Sequence, residues 1–179
     1  MIKFYEALIC FLNREEIPYS RCQIDTLTFI VDGVREHDRF RFRAVVEEEC
    51  HRIIVLGYFP VTIPKDNLYA VAAFINLINT DFVPSAFVLD NKSGSLRYRT
   101  CLSSRDINLT MENAPEHIKI LIDTSVRMLT RAFQPILAML FGDITVEKAY
   151  EKFASCNNHN NKKRIASEKF EEFLRYSLN

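Results

Sequence analysis

The chain has no tryptophan, only four glycines, no Cys-x-x-Cys pair and no unbroken apolar run of membrane length. Each absence removes a class of function. Gly33, Gly57, Gly94 and Gly142 stand far apart. A phosphate-cradling loop needs clustered glycines so that backbone amides can approach the anion, so nucleotide binding is excluded. No G-x-S-x-G elbow is present, and nothing in the sequence places a base beside Cys101 or Ser103, so the reading contains no catalytic residue. The histidines, His37, His51, His117 and His159, fall in four separate segments without H-x-x-x-H spacing. Zinc needs four converging ligands, so these read as surface side chains, and neither a metal nor any other cofactor is expected.

A membrane span needs about 18 apolar residues, and the nearest candidate, residues 128–141, is interrupted by Arg131, Gln134 and Pro135. Glu6 falls where a signal peptide would carry its apolar region. No membrane association and a bacterial cytoplasmic location are the expectations. The five cysteines, Cys10, Cys22, Cys50, Cys101 and Cys156, are scattered and odd in number, which is the usage of reduced thiols; they read as small buried hydrophobes. Lys plus Arg equals Asp plus Glu, 23 each, so no global field draws in nucleic acid or anionic lipid, and only a local basic patch stays open.

What is present is an ordinary packing alphabet. Of 179 residues, 48% are hydrophobic and 26% charged, which supports one packed domain with a tail rather than a disordered chain. Phe4, Leu8, Phe11, Leu12 and Glu15 recur at helical spacing over residues 2–15, with Pro18 as the stop. Residues 19–24 and 26–31 read as strands, followed by the Asp32-Gly33 turn. Phe40, Phe42, Ala44 and Val46 then alternate with Arg39, Arg41 and Arg43, the period of a strand with Phe inward and Arg outward. Glu47-Glu48-Glu49 reads as a solvated turn. Residues 51–59 are apolar on both faces, as a central strand would be. Pro60 and Pro64 bracket an extended segment. Asp66 is the expected N-cap of a helix over residues 67–79, with Leu68, Val71, Ala72, Ile75 and Ile78 buried and Pro84 at its exit. Residues 86–90 and 96–102 form a hairpin around Gly94. A long helix starts near Pro115 and is expected to kink or break before Pro135. Gly142 caps its end, and Thr145 caps one more helix with Glu147 in its first turn.

Four blocks within residues 40–152 carry a family resemblance. They are Phe59-Pro60-Val61-Thr62-Ile63-Pro64; the helix around Leu68 with Asn76 and Asn79; Phe87-Val88-Leu89-Asp90 through Gly94 to Leu96-Arg97-Tyr98-Arg99-Thr100; and Phe133-Gln134-Pro135-Ile136 leading to Phe141-Gly142-Asp143 and Thr145-Val146-Glu147-Lys148-Ala149. In their order and spacing they resemble the YbjN family, bacterial proteins described as sensory-transduction regulators. The family tends to have glycine before the third block's Phe; here Ser85-Ala86 stands. The resemblance implies an α+β fold like that of type III secretion chaperones, a curved antiparallel sheet packed by helices, with regulatory or chaperone-like binding and no chemistry. The expected division is a YbjN-like domain over residues 1–154, an Asn-rich linker over 155–165 and a C-terminal helix over 166–179.

Two features point to partners. Arg39, Arg41 and Arg43 share one strand face, and Arg97 and Arg99 share another. If those strands are neighbours with matching faces, they form a basic strip able to dock an acidic peptide or nucleic acid; otherwise they are a solvated outer face balanced by Glu47 and Glu49. Phe40, Phe42 and Tyr98 have the inward parity and should be core, which counts against a base-stacking platform. On the terminal helix, Phe170, Phe173 and Leu174 make an apolar stripe, a candidate for docking on the chain's own body, on a second copy or on a partner. The leading expectation is a non-enzymatic protein that binds another protein or peptide through its sheet face or exposed apolar helix surface, with homodimerisation as a further expectation. The alternative is a nucleic-acid-binding regulator that uses the five arginines.

Overall fold

The alternation in the sequence becomes one sheet in the computed structural model, which describes residues 3–23, 25–33, 39–80, 85–104, 109–142 and 144–155. The elements run α1 (Phe4–Arg14), β1 (Tyr19–Gln23), β2 (Thr26–Asp32), β3 (Arg39–Glu47), β4 (Arg52–Tyr58), α2 (Leu68–Asn79), β5 (Ala86–Leu89), β6 (Leu96–Ser103), α3 (Ala114–Phe141) and α4 (Val146–Ser155), with 3₁₀ turns at Glu48–Cys50 and Lys65–Asn67. The six strands pair antiparallel in the order β1-β2-β3-β4-β6-β5. The chain is therefore an α+β protein: an antiparallel sheet packed by helices.

One face of the sheet is buried. Leu27 and Phe29 of β2, Phe42 and Ala44 of β3, Ile53 and Val55 of β4 and Tyr98 of β6 point to it. Phe29 and Phe42 are directly opposite and stack with ring centroids 5.6 Å apart. The described helices cover this face: α3 lies on β4 and β6, α2 on β5, and α1 and α4 pack against α3. Gly57 marks the closest approach of α3, because a Cβ there would sit 2.7 Å from both Leu129 Cδ1 and Phe42 Cε1.

The ends of the elements show how local chemistry resolves. α1 closes three residues before Pro18 becomes relevant. The Ile17 N–H donates to the Leu12 carbonyl at 2.8 Å and the Glu16 N–H to Asn13 at 3.2 Å, a Schellman closure with Glu16 at φ 55°, where glycine is usual. Its N-terminus is capped from a distance, by Glu48 accepting the Tyr5 N–H at 3.1 Å. Asp66 does not cap α2. The Asn67 N–H instead donates to the Pro64 carbonyl at 3.0 Å within the 3₁₀ turn, so a side-chain acceptor is not needed there. Phe74, which the periodic reading passed over, is fully buried on α2 and meets Phe153 of α4 edge to face.

α3 does not break at Pro135. It continues for 28 residues to Phe141. An internal proline costs about 3 kcal/mol. Met128, Leu129, Ala132, Ile136 and Met139 are buried on both sides of it, and burying each such side chain is worth about 1.5–3 kcal/mol, so packing outweighs the lost hydrogen bond. The cysteine expectation also fails among the described residues: Cys10, Cys22 and Cys50 are exposed and Cys101 is half-buried. Cys10 lies off the buried stripe of α1, and Cys22 and Cys50 lie in elements without a buried residue, so position outweighs the preference of the side chain for burial. No described helix is long and apolar enough to cross a membrane. Ser155, the first residue of the expected linker, is the last residue of α4. Pro84, His37, His159, Cys156, residues 156–165 of the expected linker and the expected terminal helix with Phe170, Phe173 and Leu174 lie outside the described residues.

Candidate functional site

The arginines of β3 and β6 share the face of the sheet opposite the described helices. Antiparallel register puts directly opposed residues on the same face. One row across the sheet reads Ile30, Arg41, Tyr58, Arg97, Val88. The next reads Ser20, Thr28, Arg43, Leu56, Arg99, Ala86. The two arginine pairs thus share a face but are not on adjacent strands, since β4 runs between them. Strands lie about 4.8 Å apart and residues two apart in a strand about 6.8 Å, so Arg41, Arg43, Arg97 and Arg99 mark a rectangle of roughly 9.5 by 7 Å, with Leu56 and Tyr58 on its midline.

The fifth arginine stands apart. Arg39 donates to Asp32 at 3.1 Å at the rim, an exposed pair. Glu47 does not balance the strip: it pairs with Arg52 at the far end of the sheet. Glu49 lies in the turn after β3. Among the described residues none of the four central arginines has a carboxylate within ion-pair distance. The Asp90 carboxyl is held below its ordinary value by the Ser93 hydroxyl first, then the Lys92 amide, with Arg97 a smaller contributor. Arg41 and Arg99 are exposed and Arg43 and Arg97 half-buried. The Nε atoms of Arg43 and Arg97 are buried without a hydrogen bond.

This is an unusual electrostatic situation for a surface. If the guanidinium groups keep the roughly 7 Å spacing of their backbones, two such charges repel by about 0.6 kcal/mol at the dielectric of water and by about 2 kcal/mol at an effective value of 20. Surface charges normally avoid that by interleaving signs. Between the arginines lie half-buried apolar side chains, and Val45 and Ile54 continue the apolar strip in the row beyond, beside Cys101. A shallow hollow lined by Gln23, Asp25, Thr26, Val45 and Glu47 adjoins that row. As the sequence parity requires, Phe40, Phe42 and Tyr98 are buried on the other face, so Tyr58 is the aromatic side chain that these two rows present.

The sheet edges differ. At β5 the Asn79 side chain accepts from the Phe87 N–H at 2.8 Å and donates to the Phe87 carbonyl at 2.9 Å, so the helix itself occupies the edge. All five residues of β1, at the opposite edge, are exposed. The sequence reading noted Asn79 but not this use, which only a helix packed beside β5 creates. A second exposed apolar feature lies in the helix layer: Tyr69 near the start of α2 and Phe141 at the end of α3 are 90% and 76% exposed. These helix ends are tied by Asn67 Nδ2 donating to the Met139 carbonyl at 3.4 Å.

Nothing in the described residues assembles a reactive constellation. No group of three His, Cys, Asp or Glu side chains there is placed to hold a metal ion. His51 lies in the turn before β4 and His117 on α3. Burial pushes the Tyr98 phenol up, opposed by a hydrogen bond from Ser85, and Tyr98 meets Phe87 with ring centroids 4.8 Å apart, which is a packing role.

No family model matches the chain, and no curated protein matches it. Among solved structures, a chain of the HopA1–SchA chaperone–effector complex is similar over 73% of this chain and 92% of that chain, at 17% identity and a TM-score of 0.43.

Proposed function

We propose that this chain is a non-enzymatic protein-binding protein, regulatory or chaperone-like, that engages its partner through the open face of the sheet. One observation carries the reading: four arginines without carboxylate partners among the described residues surround an apolar midline on the face that the described helices leave uncovered. Such a face has a standing cost from like-charge repulsion and desolvated donors, and an anionic partner with some apolar surface removes both. The YbjN resemblance read in the sequence belongs to the same proposal, as does a cytoplasmic location.

Nucleic acid is the rival anion. Backbone phosphates would satisfy the arginines, but strands that bind bases present several exposed rings, and here Phe40, Phe42 and Tyr98 are buried. Photo-crosslinking in cells separates the two. A photoreactive residue at Leu56 should give protein adducts that one at Ala73, exposed on α2, does not. Adducts that nuclease removes, or equal protein adducts at both positions, refute the proposal.

A further inference from the structure

Resting on that reading, we infer that the occupant of the open face is an acidic amphipathic helix of a protein partner, laid along β4 between the two arginine pairs. Three features of the face select this shape. The first is width. The arginine pairs lie about two strand spacings apart, roughly 9.5 Å, and an α-helix with its side chains is about 10–12 Å across. A helix over Leu56 and Tyr58 therefore reaches both pairs with its flanks while its apolar stripe rests on the midline.

The second is pitch. Arg41 and Arg43, like Arg97 and Arg99, are two residues apart in a strand, about 6.8 Å, and helix residues four apart are about 6 Å apart along the axis, so carboxylates one turn apart on each flank meet two arginines each. The third is backbone chemistry. An extended peptide crossing the face would place its own N–H and C=O groups over Ile54, Leu56 and Tyr58 without partners. A helix satisfies those groups internally. Guanidinium groups favour carboxylates because the fork of donors matches the two oxygens, and the half-buried stems of Arg43 and Arg97 hold those forks near the sheet. The seven residues of β4 span about 24 Å, which sets the length of a matching helix at about 16 residues.

The test is fluorescence anisotropy on the full chain. The main probe is a labelled synthetic helix of about 18 residues with a leucine stripe flanked on both sides by Glu. The second replaces every Glu by Gln, the third replaces every Glu by Lys, and the fourth is a single-stranded oligonucleotide. The Glu probe should bind at least about ten-fold more tightly than the Gln probe, a comparison that needs no variant protein, and its affinity should fall with salt. Arg43→Glu with Arg99→Glu should weaken the Glu probe by about ten-fold or more and reverse the preference, so that the Lys probe binds better.

Equal binding of the Glu and Gln probes overturns the inference, as does tighter binding of the oligonucleotide than of any peptide. Two further occupants would also overturn it. Self-association of the wild-type chain that the double reversal abolishes names a second copy. A gain of about ten-fold in Glu-probe affinity on Phe170→Asp with Phe173→Asp names the chain's own terminal segment. Protein adducts at Leu56 together with failure of the Glu probe leave the protein-binding reading standing and remove the helical occupant alone.

Discussion

Replacing Arg43 or Arg97 by methionine should stabilise the isolated protein. The expected sign follows from the structure. The Nε of each is buried without a hydrogen bond, and an unsatisfied buried donor costs about 1–3 kcal/mol. Each also stands two residues from a second guanidinium, where the repulsion works out at about 0.6–2 kcal/mol. Methionine keeps an unbranched stem that covers the same part of the sheet and carries neither the donor nor the charge. Allowing for the packing that the guanidinium plane itself supplies, each substitution should add about 1 kcal/mol, with the smaller gain at Arg97 because it also attracts Asp90. In a chain of this size that is a rise of roughly 2–4 °C in Tm.

The two sites lie diagonally across β4, about 12 Å apart, so the double variant should show nearly the sum. Urea unfolding followed by far-ultraviolet circular dichroism is the suitable assay, since the chain has no tryptophan to report by fluorescence. An unchanged denaturant slope would place the effect in the native state. Arg39→Met is the control. It removes only the exposed pair with Asp32 and should change stability by less than about 0.5 kcal/mol. A loss of about 1 kcal/mol or more at both Arg43 and Arg97 would refute the reasoning, because the guanidinium groups would then be stabilising a solvated face rather than waiting for an anion. The same substitutions should weaken the Glu probe, so that stability and binding move in opposite directions, as they do where a site is held ready at a cost to the fold.

Three further outcomes follow from local geometry. Glu16→Gly should stabilise the chain by about 0.5–1 kcal/mol in thermal unfolding, since glycine occupies the left-handed closure of α1 without the Cβ penalty. Asn79→Ala should cost about 1–3 kcal/mol and raise aggregation in light scattering, because it removes both bonds to Phe87 and frees the β5 edge. Burial holds the His117 imidazole below its ordinary value, with Glu116 acting weakly the other way. Between the folded and the ordinary value the unfolded chain binds more protons, so the His117 contribution is complete above about pH 6.5 and is lost as pH falls through the lower folded value. His117→Gln should flatten that part of a stability–pH curve measured by urea unfolding.

Where a pattern is local, it was legible in the residues. The alternation of Phe40, Phe42, Ala44 and Val46 with Arg39, Arg41 and Arg43 assigns both faces of β3, because strand side chains point to opposite sides in turn. The same holds for Leu96, Tyr98 and Thr100 against Arg97 and Arg99, for the hairpin around Gly94 at φ 69°, and for the cap of α4, where Thr145 accepts the Lys148 N–H. The helical stripes were less complete: Phe74 was missed because Leu68 and Ala72 satisfied the same period, and only the position of α4 shows which flank of α2 is covered. The continuity of α3 through Pro135 is not legible locally for a related reason, since the local cost is real and the burial that outweighs it comes from other elements.

The candidate site belongs mainly to the second kind. Alternation within each strand already places two rows of arginines outward. The sequence contains no local signal for which strands are neighbours, because strand order arises from pairing between segments far apart in the chain. Tertiary structure decided that β4 lies between the rows, that Leu56 and Tyr58 fill the space between the four charges, that Glu47 is drawn away to Arg52, and that the described helices lie on the opposite face. A side chain's direction follows from the period of its own strand, whereas its neighbours follow from the register of strands on either side, and it is the neighbours that make four arginines a surface for an acidic partner.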